Sequence, residues 1–388
     1  MSKVRYGVIG VGNMGASHAV KLLEGKVQHA ELTAVCDGFA AKRDWARERL
    51  NGVAVFEDSE SLLNSGLVDA VIIATPHYDH PAEAMRAFAK GIHVLIEKPA
   101  GVYVKQVREM NEAAVASGQK FGIMYNQRMN PLYQKLRDLV VSGELGEIRR
   151  TNWIITNWYR PQAYYDSGSW RATWAGEGGG VLINQCPHNL DLWQWTIGMM
   201  PSRIRAFCQF GKHRNIEVED NVTAYAEYAN GATGVFITTT GEAPGTNRFE
   251  VVGDRGKVVI EEGKLTFWRL RELESEFNAR NTVPFGSPEC WKVEVPVQGV
   301  STEHIGIMQN FAEAILQDTP LVAPGEEGIH GLAISNAMHL STWLDGWVDL
   351  PLDEELHEAE LNKRIAASTV NKKESSLTAS PADLTGTF

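Results

Sequence analysis

The first 124 residues alternate short apolar runs with longer segments of helical spacing, and this alternation leaves few folds open. Runs at 4–9, 32–36, 53–56, 70–74, 93–96 and 121–124 are rich in Val and Ile with little polar alternation. That is the pattern of strands buried on both faces of a sheet. Between them, 81–90 and 104–117 carry apolar residues at helical spacing. Strands alternating with helices predict βαβ units, a parallel sheet and right-handed crossovers.

From about residue 148 the pattern changes. Runs at 149–158, 203–210, 223–228, 233–240, 249–252, 257–261 and 264–268 read as strands. Several alternate polar with apolar residues, and Asn230-Gly231, Gly253-Asp254 and Glu262-Gly263 punctuate them. This predicts a large, open, mostly antiparallel sheet with helices over one face. Segments 181–195, 304–317 and 328–343 read as helices. The fold class is therefore α/β, a doubly wound parallel sheet followed by a second α/β domain. The expected units are a dinucleotide-binding domain at 1–124, a substrate-binding and oligomerisation domain at 125–365, and a polar tail or arm at 366–388. The C-terminal helices are expected to pack back on the first unit.

Lys plus Arg number 37 and Asp plus Glu 48, so the net charge is −11. An acidic chain whose only basic clusters are Arg149-Arg150 and Lys372-Lys373 is not expected to bind nucleic acid. No apolar stretch approaches the length of a membrane span. The N-terminus lacks the features of a secretory signal, so a cytoplasmic location is expected. Cys36, Cys186, Cys208 and Cys290 show no zinc-ligand or CxxC spacing. They are read as free, buried thiols, and no metal site is expected.

Gly10, Gly12 and Gly15 form a GxGxxG at the end of the first strand, where a helix opens at Asn13-Met14. Alone the pattern is weak, but this context gives it a mechanism. Gly10 permits a tight turn, Gly12 admits a pyrophosphate, and Gly15 lets helix and strand pack closely. The helix N-terminus offers free N–H groups to the anion. Asp37 closes the second strand about 20 residues further on, where a carboxylate accepts ribose hydroxyls and repels a 2′-phosphate. NAD is favoured over NADP, while Lys42 and Arg43 leave NADP open.

Glu97-Lys98-Pro99 ends the fifth strand, at the edge where open parallel sheets bind ligands. A lysine there can hydrogen-bond a substrate oxygen and stabilise developing negative charge, and Pro99 allows a cis peptide. Thr75, His77 and His80 end the fourth strand at the same edge and, with Glu97, are expected to line the cofactor near its ribose and nicotinamide, with Asp79 a helix-capping alternative. His18 reads as a packing residue.

The glycine loop, Glu97-Lys98-Pro99 and the run Gly178-Gly179-Gly180-Val181-Leu182-Ile183-Asn184-Gln185-Cys186-Pro187-His188-Asn189-Leu190-Asp191 occur in this order. Together they closely resemble the glucose–fructose oxidoreductase/inositol dehydrogenase (Gfo/Idh/MocA) family over roughly residues 3–347. The resemblance implies a Rossmann domain, an open-sheet second domain that often forms a subunit interface, and a homodimer or homotetramer. It implies that Lys98 and His188 face nicotinamide and substrate, that Trp170-Arg171 lie near the cofactor, and that Asp191 gives structural support. Asn184 and His188, four apart on one expected helix, reach one cleft. Many family members carry Asp where this chain has Asn184. An amide takes no proton, so Asn184 is expected to hydrogen-bond a sugar hydroxyl, and His188 to act as base with less electrostatic help.

Asn126 joins the expected cofactor set, while Arg128, Tyr159 and Trp174 are expected at the substrate, with Arg160 a further cleft candidate. Six tryptophans, at 153, 158, 170, 174, 193 and 195, surround the candidate helix, and flat aromatic faces suit sugar rings. Of these, Trp193 and Trp195 are read as core. The expected activity is hydride transfer between NAD and a ring carbon of a neutral sugar, anhydrosugar, glycoside or inositol. The alternative is a nucleotide- and sugar-sensing regulator of the same fold.

Overall fold

The computed structural model describes residues 3–370. Six strands, β1 (Val4–Ile9), β2 (Ala30–Cys36), β3 (Ala54–Phe56), β4 (Ala70–Ile73), β5 (His93–Ile96) and β6 (Phe121–Ile123), form one parallel sheet in the order β3-β2-β1-β4-β5-β6. All four residues of β4 and three of the four in β5 are buried, as their unbroken aliphatic runs require. Each buried Val, Leu or Ile among them contributes roughly 1.5–3 kcal/mol of burial energy. The helix Val104–Ser117 stops at Gly118, whose φ of 68° belongs to the left-handed region.

The second sheet has nine strands: β7 (Ile148–Ile155), β8 (Arg203–Phe210), β9 (Glu219–Glu227), β10 (Thr233–Thr239), β11 (Asn247–Gly253), β12 (Gly256–Glu261), β13 (Lys264–Leu270), β14 (Cys290–Glu294) and β15 (Val348–Asp349). Their order is β14-β13-β12-β11-β7-β10-β9-β8-β15, antiparallel except for the pair β7–β10. One face is covered by the helices Pro187–Trp195 and Gly328–Trp343. Trp193 pins the first of these by donating from Nε1 to Thr151 Oγ1 of β7 at 2.8 Å. Trp153 stacks on Phe249 at 4.2 Å beneath. The opposite face leaves Phe207 58% and Tyr225 38% exposed.

The chain returns to the first sheet near its end. The Ile123 N–H donates to Ala323 O at 3.1 Å, and Phe311 of the helix Glu303–Gln317 packs on Tyr6.

Three expectations need correction. Residues 181–195 are not one helix: 181–186 form turns and the helix begins at Pro187. Glu219 is the reason, since its carboxylate takes the N–H groups of Gly180 and Leu182 at 2.9 Å while its carbonyl takes that of Val181. A Cβ on Gly180 would lie 2.1 Å from that carbonyl, so glycine alone permits the approach. Cys290 is exposed on edge strand β14, unlike the three buried thiols. The helix Glu354–Ala367, capped by Asp353 accepting from Leu356 N, runs two residues into the segment expected as a tail. The rest of that segment, from residue 371, lies outside the described residues.

Candidate active site

The glycine loop is shaped for a phosphate. Gly12 has open space where a Cβ would stand, whereas a Cβ on Gly15 would meet Gly10 O at 1.8 Å. The first helix, Asn13–Leu23, starts at Gly12 with no side-chain cap, so its first N–H groups are available to an anion. Asp37 stands beside them. Its Oδ2 accepts from Val11 N at 2.8 Å and its Oδ1 from Phe39 N at 2.9 Å. The carboxylate thus braces the loop at the position suited to a ribose. Behind it the Arg43 guanidinium donates to the carbonyls of Asp37 and Gly38.

Along the same sheet edge, Thr75 has a buried hydroxyl and Asn126 a buried Oδ1, neither with a partner among the described residues. His80 differs from them. Its two ring nitrogens lie 2.8 and 2.9 Å from the carbonyls of Pro99 and Thr75, so it clamps two strand ends together rather than facing the groove, which corrects its expected cofactor role. His77 sits 3.1 Å from Glu177 O and meets the Trp170 ring edge-on. Burial pushes its pKa down to about 3.

Glu97 faces inward. His18 Nε2 lies 2.6 Å from its Oε1, and the Lys98 N–H donates to Oε2. This pairing holds the Glu97 carboxyl well below the usual range although burial opposes it. Glu97 therefore supports the strand end, with both carboxylate oxygens taken by His18 and the Lys98 N–H, which leaves no free oxygen for the cofactor role expected of it. Lys98, joined to Pro99 by a cis peptide, is half-buried and reaches across to donate from Nζ to Asn184 O at 3.0 Å. Burial lowers its pKa, and Glu97 works against that shift.

His188 lies in the first turn of its helix, buried, with neither ring nitrogen partnered among the described residues. Burial lowers its pKa well below the ordinary imidazole value, and the Lys98 charge adds to this. The ring is neutral near pH 7, so one of its nitrogens is a free acceptor.

Asn184 gives its Nδ2 to Glu177 Oε1, and its Oδ1 accepts from the Tyr164 hydroxyl at 3.4 Å. Arg171 NH1 donates to the same hydroxyl at 2.8 Å and stacks on the rings of Tyr164 and Trp170, each at 4.6 Å. Arg160 lies over Tyr164 as well. Lys98, Asn184, Trp170 and Arg171 thus belong to one cluster through Tyr164, and the Lys98 charge acts on His188 nearby.

Three expected substrate residues lie apart from it. Arg128 is fully buried and forks onto Asp191 at 2.6 and 2.8 Å, with Glu327 as a second partner. Asp191 is thereby the support it was expected to be. Trp174 packs edge-on against Phe210, His339 and Trp343 in a separate apolar cluster. Tyr159, 45% exposed, lies beneath the Arg214 guanidinium on the rim of a surface depression lined by Gln162 and Lys212.

Sequence reasoning passed over Glu177 and Tyr164. Glu177 had a readable signal, an acidic residue directly before three glycines. Tyr164 had none, because its place depends on how the loop 157–180 folds.

Among the described residues no group of His, Cys, Asp or Glu is arranged to hold a metal ion, and no helix is long and apolar enough to cross a membrane.

A glycine-cradle parallel sheet joined to an open mixed sheet, with Lys98 at the end of β5 reaching Asn184 of the second unit, defines a two-domain dinucleotide-binding protein. Residues 4–125 match the oxidoreductase family with an NAD-binding Rossmann fold, and residues 133–259 match the GFO/IDH/MocA C-terminal domain. The chain belongs to the Gfo/Idh/MocA oxidoreductase family.

Among its relatives, the rhizopine catabolism protein MocA of Rhizobium meliloti is 31% identical over 53% of this chain and 61% of its own length. An inositol 2-dehydrogenase of Pseudarthrobacter chlorophenolicus is 36% identical over 37% of this chain and 43% of its own. The chain thus spans about half the length of these curated relatives. The scyllo-inositol 2-dehydrogenase (NAD(+)) of Bacillus subtilis is 24% identical over 86% of this chain and 94% of its own. Among solved structures, the WlbA dehydrogenase of Bordetella pertussis, in complex with NADH and UDP-GlcNAcA, is 26% identical with a TM-score of 0.76, over 90% of this chain and all of that one.

Proposed function

We propose that this protein is an NAD-dependent dehydrogenase acting on a ring hydroxyl, or the matching ketone, of a neutral sugar, anhydrosugar, glycoside or inositol. One observation carries the reading: a buried, neutral His188 with both ring nitrogens free, close enough to Lys98 to feel its charge. A histidine placed only for packing would be expected to have a hydrogen-bond partner.

The residues fit the cofactor, with an open cradle at Gly12, uncapped helix N–H groups and the Asp37 carboxylate. Bound nicotinamide supplies the hydride acceptor or donor. His188 takes the proton of the substrate hydroxyl in oxidation and returns it in reduction. Lys98 spends one N–H on Asn184 O and keeps two for the reacting oxygen, whose negative charge it stabilises. Asn184 offers its amide oxygen to a neighbouring hydroxyl. The inositol dehydrogenases among the relatives support a polyol substrate. The open apolar face of the second sheet supports a homodimer or homotetramer, which sedimentation velocity checks.

A second reading, a carboxylate-bearing sugar, is favoured by Arg160 and Arg171 flanking Tyr164 and by the uronic-acid nucleotide held by the WlbA dehydrogenase. The test is a screen for reduction of NAD and NADP with neutral sugars, inositols, uronic acids and nucleotide sugars. NAD turnover on a neutral ring substrate is expected. Turnover confined to acidic sugars selects the second reading, and binding without turnover across the panel selects a sensing regulator.

A further inference from the structure

Position 184 lacks the carboxylate that the histidine segment would place four residues before His188, yet a carboxylate stands against it from another part of the chain. Glu177, just ahead of Gly178-Gly179-Gly180, is 1% exposed. Its Oε2 accepts from the Ala172 N–H at 2.5 Å, and its Oε1 accepts from Asn184 Nδ2. Both oxygens face donors, the arrangement of an ionised carboxylate.

The turn around it is built to make these bonds. Ala172 holds a φ of 53°, left-handed and unfavourable for a residue with a Cβ, and so brings its N–H onto the carboxylate. Asn184 is the complement of Glu177, since an aspartate at 184 would set two carboxylates face to face.

The groups around Glu177 come from four elements. Arg171 lies on the turn before it and Asn184 on the turn after it. Lys98 acts from the end of β5, and Glu219 from β9, where it faces His339. His77, buried and neutral, contacts only the Glu177 carbonyl. Burial pushes the Glu177 carboxyl up, while Arg171, the Ala172 amide and Asn184 oppose that push.

We propose that Glu177 is the positioning carboxylate of this active site, standing in from the glycine loop for the acid that position 184 lacks. It does so in two ways. By taking Asn184 Nδ2 it turns the amide oxygen the other way, toward the Tyr164 hydroxyl and the cleft. By adding its negative charge to that of Glu97 near Lys98, which is itself bonded to Asn184 O, it favours the ammonium form against the downward push of burial and Arg171. Glu177 works through these two residues and touches no substrate.

The assignment rests on the dehydrogenase reading only for its kinetic consequences, and the test separates the two. Wild type, Glu177→Gln and the charge-relocating Glu177→Gln/Asn184→Asp are compared, with thermal melts and NADH binding as checks of folding. Lys98 is titrated through the NMR signal of its ε-carbon, assigned by its loss in Lys98→Ala. In Glu177→Gln its midpoint is expected to fall by about one pH unit or more. The alkaline limb of kcat/KM should move with it, and kcat/KM at neutral pH should fall about 10-fold or more. In the double variant the amide and the carboxylate trade places, so the hydrogen bond between the two positions is kept with its direction reversed. There the midpoint should return and kcat/KM should recover at least about threefold.

An unchanged Lys98 midpoint in folded Glu177→Gln, or no return in the double variant, overturns the proposal. If Glu177→Gln does not fold, the double variant decides alone: a midpoint about one unit below wild type contradicts the assignment. If wild type turns over nothing in the panel, the dehydrogenase reading fails while the Lys98 titration still judges Glu177.

Discussion

Asp37 carries two duties that a sequence motif shows as one. Its carboxylate stands where the cofactor ribose is expected, and it also ties Val11 of the glycine loop to Phe39. Behind it, Arg43 is mostly buried and already bonded to the carbonyls of Asp37 and Gly38. Replacing Asp37 by Ser removes the charge that repels a 2′-phosphate and leaves the guanidinium in place. The NAD/NADP ratio of kcat/KM should narrow by about 10-fold or more, equal to about 1.4 kcal/mol. An unchanged ratio removes Asp37 from cofactor choice. His188 keeps both ring nitrogens unpartnered and Lys98 gives one N–H to Asn184 O, whereas both ring nitrogens of His80 lie on backbone carbonyls.

At the scale of elements, the helix carrying His188 is fixed from both sides. Trp193 ties it to β7, and Asp191 holds the buried Arg128, which also reaches Glu327 beside the helix Gly328–Trp343. Arg128→Ala leaves Asp191 buried without its cation, an expected loss of about 3–5 kcal/mol in denaturant unfolding. A loss under about 1 kcal/mol would contradict the structural role. Strand runs and glycine turns made most of this architecture legible, because aliphatic burial and turn chemistry are local signals. β14 and β15 were not legible: the first is an exposed edge strand with no buried pattern, and the second has two residues. The turns at 181–186 were also hidden, since Glu219, distant in sequence, takes the N–H groups there. Arg128 and Trp174 look like cleft residues in sequence because a cation and an aromatic ring serve cores and ligands alike, and only tertiary contacts separate the two.

Across the whole molecule, buried neutral histidines couple folding to pH. His77, His304 and His357 each have their pKa lowered to about 3, with burial the leading cause. Such a group binds its proton more readily when unfolded, so its stabilisation is complete above about pH 6.5 and is lost as pH falls toward 3. Each is expected to forfeit roughly 1–2 kcal/mol by pH 5, so Tm should drop steeply below pH 6.5, while a flat Tm from pH 7 to 5 would contradict their neutral burial. The same burial keeps the His188 ring neutral, the state that the proposed proton acceptor needs. The most direct measurement is steady-state NAD reduction, on the best ring substrate of the panel, by wild type, Lys98→Ala and His188→Ala, with NADH binding followed in parallel. Both variants should bind NADH normally and lose at least about 100-fold in turnover. Turnover near the wild-type rate in either folded variant would contradict a site in which Lys98 steadies the oxygen and His188 takes its proton.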